Sequence, residues 1–356
     1  MSLTGSGQRA YIGSFTSAGG RGITTAAVDP DSGALTVLHT SDAVADPSYL
    51  LVAGPAAAGG PLLHTVSEVA AGGVATLSLA DPDRPALVGA VAPVDGRAPT
   101  HLARVAGHLL TANYSSGSVS VLPLRADGTP AAPSAVLRHE GGGPHPDRQK
   151  GPHAHAVLPD PSGRWVLSVD LGTDSVRVCA LDAESGALRV HHETRLRPGS
   201  GPRHLAFHPR GDRAYVINEL DSTVTACRWD AAAGMLEPIG ESRVLPEEAE
   251  STEAPNHPSE LVLSRDGRFV WVANRGHDSI AVLALDPSGD GMELVTTVDC
   301  GGRGPRDLTL DPAGRRLYAA NERSGDVTWF DLDERTGVPR RAGSIEAPAV
   351  SCVAFG

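Results

Sequence analysis

Lysine is nearly missing from this chain: Lys150 stands alone among 30 basic residues, and against 42 carboxylates the formal charge is −12. A chain this acidic has no broad basic face with which to neutralise phosphates, which argues against nucleic acid or an anionic membrane as partner. A small anionic ligand stays open, provided that a few arginines gather in one pocket. Cysteine is scarce too. Cys179, Cys227, Cys300 and Cys352 are far apart and form no CxxC pair, so neither a zinc knuckle nor a disulfide scaffold is supported, and reduced, buried thiols are expected. No basic segment followed by an apolar run and cleavage site opens the chain, and no apolar run nears 18 residues. A cytoplasmic protein follows by default. No GxSxG elbow is present, which removes support for a serine-hydrolase mechanism. GlySerGlyPro at 199–202 lacks the lysine and following helix of a phosphate loop. Aromatic residues are only 4% and no segment shows helical periodicity, whereas 41 glycines and 28 prolines imply many tight turns between short strands.

What is present is a repeat. A proline entering a short apolar run recurs at Pro47, Pro99, Pro152, Pro202, Pro258, Pro305 and Pro348, with gaps of 52, 53, 50, 56, 47 and 43 residues. Periods of this size mark arrays and propellers, in which each unit buries its faces only against its neighbours. Each unit holds an apolar run after the proline, a turn, a second run ending in a polar residue, and a third run. Turns such as ProSerGly at 161–163 and ArgAspGly at 265–267 are hairpin chemistry. The alternation SerValSerValLeu at 118–122 predicts a half-buried strand. The chain stops just after its seventh proline run, while the N-terminus starts with a second run, Ala10 to Phe15, and a third, Gly22 to Val28. Joining the two ends completes a blade and removes exposed sheet edges. The expectation is an all-β, seven-bladed β-propeller of four-stranded antiparallel blades, a single domain over 1–356, with Met1 to Gln8 as a loose or added end. The acidic stretch 241–253 accounts for the longest gap and predicts a mobile, solvated loop.

In a propeller the first strand of each blade lines the channel, so residues beside the prolines converge on one opening. They include His101, His153, His155, Arg203 with His204, Ser259 with Glu260, and Arg306 with Asp307. Polar groups aimed at a shared cavity are the pattern of a binding site. The segment 143–155, GlyProHisProAspArgGlnLysGlyProHisAlaHis, reads as an insertion ahead of the fourth blade and adds His145, Arg148 and Lys150. His153 and His155, two apart, would share a strand face that can chelate. With no carboxylate fixed beside them by spacing, no metal and no cofactor are assigned.

This segment, together with GlyProArgHisLeuAlaPheHisPro at 201–209, AsnGlu at 218–219 and HisProSerGluLeu at 257–261 followed by a run ending AsnArgGly, resembles the propeller lactonase family. That family includes seven-bladed 6-phosphogluconolactonases and the fungal carboxymuconate lactonizing enzyme. The likeness runs from TyrIleGlySerPheThr at 11–16 to AsnGlu at 321–322; it departs mildly where Asp46 and Ser67 replace the usual asparagines. It implies a pocket at the channel mouth containing His155 or His153, Arg203, Glu219 and Arg275. The implied reaction is hydrolysis of a small anionic sugar lactone, 6-phosphogluconolactone above all. A muconate-type cycloisomerase and a non-catalytic binding propeller are the alternatives. Lactone hydrolysis needs a base for water and positive charge for the oxyanion. The resemblance gives the base to His155, with Glu219 orienting it or sharing the proton work and Arg203 holding the anion. His153, Arg275, His101, Arg306 and Lys150 are expected around the substrate. The bland reading has the arginines pair with Glu219 or Glu260 to join blades, and Glu219 recurs as Glu68 and Glu322 at equivalent strand ends. The charge pattern specifies no oligomeric state.

Overall fold

Most strands of this chain are apolar on both faces, and the fold explains why. The computed structural model describes residues 7–54, 60–248 and 255–356. They form seven antiparallel sheets arranged around a channel, with strands side by side in chain order from inside to outside in all but the blade that joins the two ends of the chain. The sheets pack face to face, so both faces of each inner and middle strand are buried. In Phe269–Arg275, the residues Phe269, Trp271 and Ala273 join one inter-blade core while Val270 and Val272 join the next. Each such side chain contributes on the order of 1.5–3 kcal/mol by burial, and seven apolar clusters fill the seven gaps between blades. Ser118–Pro123, expected to be half-buried, is instead enclosed on both sides. Its alternating serines are satisfied internally: Asn113 Nδ2 donates to Ser118 Oγ at 3.2 Å and to Ser120 Oγ at 2.8 Å. Asn218 repeats this with Thr223 and Thr225, both at 2.9 Å.

The ring closes as the sequence implies. Val350–Phe355 is the inner strand of the blade whose other strands are Arg9–Ser14, Ile23–Val28 and Leu35–Ser41. The next blade departs slightly from four strands, because its outer strand is split into Ala86–Leu87 and Ala92–Pro93. Two expectations at loops need correction. The proposed loose end reaches only part way: residues 1–6 lie outside the described residues, but the Gln8 carbonyl accepts from Val28 N at 3.1 Å. The proposed loop 241–253 begins as the end of strand Met235–Arg243, and Val244 and Leu245 are buried, since an apolar pair returns to the core; residues 249–254 lie outside the described residues.

The scarce aromatics serve a repeated purpose. Trp165 Nε1 donates to Ala231 O at 2.8 Å, Tyr215 OH to Gly289 O at 2.8 Å, Trp271 Nε1 to Gly337 O at 2.7 Å and Tyr318 OH to Gly33 O at 2.8 Å. In each case a second-strand aromatic reaches the outer hairpin turn of the next blade. Gly33, Gly289 and Gly337 hold positive φ there, and the aromatic or its neighbours fill the space a side chain would take.

Candidate functional site

Two stacked rings of side chains build the site. The lower ring comes from β-bulges in the inner strands, each of which leaves one residue without a ladder partner and turns it toward the channel. Thr100, His155, Arg203, Arg306 and Ser351 are such residues, and Ser259–Glu260 together oppose a single residue of their neighbouring strand. The bulges interlock: Thr100 Oγ1 donates to His155 O at 3.2 Å, Ser259 Oγ donates to Pro305 O at 2.6 Å, and Arg203 Nη1 donates to Ser259 O. The upper ring is the residue at or just past the end of each second strand, and its members are Phe15, Glu68, Tyr114, Leu171, Glu219, Arg275 and Glu322.

Between the rings lies a fan of charge. Glu219, which is 3% exposed, faces three guanidiniums: Arg148 Nη2 at 2.7 Å, Arg275 Nη2 at 3.0 Å and Arg203 Nε at 3.3 Å. Burial opposes its ionisation, but Arg275, Arg203 and Arg148 outweigh that and hold the carboxyl at about 2. One carboxylate among three cations leaves net positive charge at the mouth of an acidic protein. Arg203 is squeezed in turn: burial, then repulsion from Arg275, pulls it down to about 9. Arg203 Nε and Arg275 Nη2 lie within ion-pair distance of Glu219 yet are not aligned for a hydrogen bond, so both keep donor capacity for a ligand. Arg306 bonds Glu322 at 3.1 Å and lies 4.8 Å over the ring of Phe15.

His155 sits under this fan, in a cavity of about 20 Å³ shared with Arg203, Arg306, Glu68 and Ser48, large enough for roughly one water. Burial first, then the charge of Arg203, keeps its imidazole neutral far below the usual 6.5. Its Nδ1 lies 3.2 Å from His204 Nε2, and His204 Nδ1 lies 2.6 Å from Glu260 Oε2. Beyond Glu260 the channel widens into a second cavity of about 460 Å³, lined by Tyr49, His101, His204, Glu260, Asp307 and a collar of leucines.

The sequence-derived residues fall into three groups. His155, Arg203, Arg275 and Arg306 meet at the mouth. Glu219 joins them but, instead of orienting His155, clamps the arginines; no contact between the two residues is found among the described ones, because the second strand carries Glu219 a layer above the bulge. His153 stands at the entrance, stacked on Tyr114 at 4.4 Å, with Nδ1 3.0 Å from Tyr114 O. The bulge at His155 breaks the shared strand face that chelation by both histidines would need. Among the described residues no group of three His, Cys, Asp or Glu side chains is placed to hold a metal ion. His101 lies deeper, against Tyr49 at 4.2 Å and His204 at 5.2 Å. Lys150 is not in the mouth: its side chain is exposed, pairs with Asp147 at 3.3 Å and lines a separate outer groove. Sequence reasoning passed over Tyr114 and gave no role to Arg148, His204 and Glu260, although it placed the last two among the residues converging on the channel. The last two share the post-proline position already singled out, and Tyr114 shares the strand-end position of Glu219, so the repeat itself carried the signal. A Ser168–His139–Asp170 array, at 3.4 and 2.6 Å, is sealed in the protein and offers no nucleophile to solvent.

Comparison with known proteins gives the family and the fold. Residues 9–355 match the family model described as "Lactonase, 7-bladed beta-propeller". A 6-phosphogluconolactonase of Bacillus subtilis is 32% identical over 349 residues, 97% of each chain. Among solved structures, a periplasmic gluconolactonase of Pseudomonas aeruginosa superposes with a TM-score of 0.88 at 28% identity over 98% of both chains. A Lactobacillus plantarum protein reaches 0.89 at 28% identity over 98% of this chain and 99% of its own. The chain belongs to the seven-bladed β-propeller lactonase family.

Proposed function

We propose that this protein hydrolyses an anionic sugar lactone, 6-phosphoglucono-1,5-lactone to 6-phosphogluconate, as a cytoplasmic step of the pentose phosphate pathway. The observation that carries the reading is a neutral, buried imidazole, His155, set beside Arg203 beneath a cluster of guanidiniums. The relatives named for this chemistry support it. A water held near His155 attacks the lactone carbonyl and gives one proton to the imidazole, while Arg203 faces the oxyanion that forms. Collapse breaks the ring C–O bond, and the imidazolium returns its proton to the departing ring oxygen. The new carboxylic acid then ionises to solvent. Arg148, Arg275 and Arg306 supply forked donors for the phosphate; Glu219 positions the first two by pairing with them, and Glu322 positions Arg306. Four free, buried cysteines on different blades suit a reducing compartment.

The test is a pH-stat assay of phosphorylated and plain gluconolactone with wild type and His155→Ala. A loss in kcat of about 100-fold or more is expected for the variant, with no change on adding chelator. Equal rates for the two proteins above the spontaneous background would remove His155 as base. No acceleration of either lactone would remove the reading itself.

A further inference from the structure

We propose that His204 and Glu260 are positioning residues that determine which nitrogen of His155 is bare, through the chain Glu260 Oε2, His204 Nδ1, His204 Nε2, His155 Nδ1. This rests on the lactonase reading for its catalytic meaning, but the arrangement is a property of the protein alone. The distances of 2.6 and 3.2 Å leave one consistent assignment when Glu260 is ionised. A carboxylate only accepts, so His204 donates from Nδ1. Its Nε2 is then an acceptor, and His155 must donate from Nδ1. The remaining nitrogen of His155, Nε2, is left with its lone pair, as a base requires. When His155 takes a proton from water, the imidazolium keeps its Nδ1–H on His204 and the Glu260 charge stabilises it through that ring. Glu260 also accepts from its neighbour Leu261 N at 3.0 Å, which fixes the carboxylate further.

The same chain can run backwards. A protonated Glu260 donates to His204 Nδ1, His204 donates from Nε2 to His155 Nδ1, and His155 then carries its hydrogen on Nε2. No base is left. The charged and titratable groups around Glu260 are His204 and Arg203 of its neighbouring blade, Asp307 and Arg306 from the other side, Glu68 and His155 across the small cavity, and Tyr49, His101 and Arg104 across the lower one. Burial pushes both carboxyls up, for Asp307 with the charge of Glu260 adding to it, and Arg203 opposes. Asp307 shares the lower cavity and accepts from Val353 N at 2.9 Å and Thr309 Oγ1 at 3.2 Å.

The experiment combines ¹⁵N NMR of the histidine rings at pH 8.5 and pH 5.5 with pH profiles of kcat and KM for wild type, Glu260→Gln and Asp307→Asn. At pH 8.5 the expected tautomer of His155 is Nδ1–H, and at pH 5.5 it is Nε2–H. Glu260→Gln keeps the wild-type melting temperature or better, loses kcat by about 10-fold or more with little change in KM, and no longer shows the acid limb. Asp307→Asn leaves the three-residue chain in place and keeps the Nδ1–H tautomer of His155 at pH 8.5. An Nε2–H tautomer at pH 8.5, or wild-type kcat and pH profile in Glu260→Gln, would overturn the proposal. If wild type hydrolyses no lactone, the functional reading falls, and the NMR arm still decides the arrangement.

Discussion

Glu219 shows how one side chain can serve stability and function together. Its pKa falls from an ordinary 4.5 to about 2 in the folded protein, and a depressed acid stabilises the fold above its unfolded value, with that contribution lost as pH drops toward the folded value. The window is therefore about pH 4.5 down to 2, and the size is on the order of 3 kcal/mol. Glu219→Gln should lose roughly that much at pH 7 and much less at pH 2.5, measured by denaturant unfolding at both values. A gap that stays constant with pH would contradict the ion-pair account. At this scale the sequence was informative about identity and poor about partners. His155, Arg203 and Arg275 were legible from motif and repeat position. Pairing of Arg203 and Arg275 with Glu219 was among the readings too; that Glu219 would leave the imidazole alone was not legible, since a strand-end residue and a bulge residue differ in height along the channel, a distance no spacing encodes. His204 was legible as a residue beside a proline, but its contact with His155 was not, because the two lie on neighbouring blades.

At the level of the element, the bulge and the latch decide the geometry. Hairpin turns and apolar runs could be read directly, because their signals are local. The bulges could not, since the extra residue is visible only against the partner strand: the inserted position is one after the proline at Thr100, Arg203 and Arg306 but three after it at His155 and Ser351. The latches make a sharper prediction. A Cβ at Gly337, where φ is +69°, would stand 2.6 Å from the Phe269 ring and disturb the turn that accepts from Trp271. Gly337→Ala should lower stability by about 1–3 kcal/mol, through left-handed strain and overpacking. Trp271→Phe should cost about 1–2 kcal/mol through the carbonyl left without its donor. Both are read by denaturant midpoints, and activity should persist because the outer turns lie far from the mouth. A midpoint unchanged in both variants would mean that the latches do not hold the blades.

For the whole molecule, closure is the property that matters. The sequence made it legible, since the missing strands at one end matched the surplus at the other. Arg9 and Gly356 exchange backbone hydrogen bonds at 3.2 and 3.0 Å, so the two ends of the described ring are neighbours. A permuted chain that joins them by a short linker and opens between blades at Gly302 should fold to a ring with the same lactone chemistry. Deleting 350–356 should abolish cooperative unfolding, because one blade loses its inner strand and its two adjacent cores are opened together. Retention of a sharp, wild-type transition by the truncated chain, followed by circular dichroism, would argue against cooperative closure.

Closure by two ends also sets an order in time. The strand Arg9–Ser14 leaves the ribosome more than 300 residues ahead of its inner partner Val350–Phe355. Until that partner emerges, the sheet begun by Arg9–Ser14 exposes an unpaired inner edge, open to other chains. The permuted protein cut at Gly302 would have every strand of each blade in one stretch, leaving only the face-to-face contact between its first and last blades to form at the end.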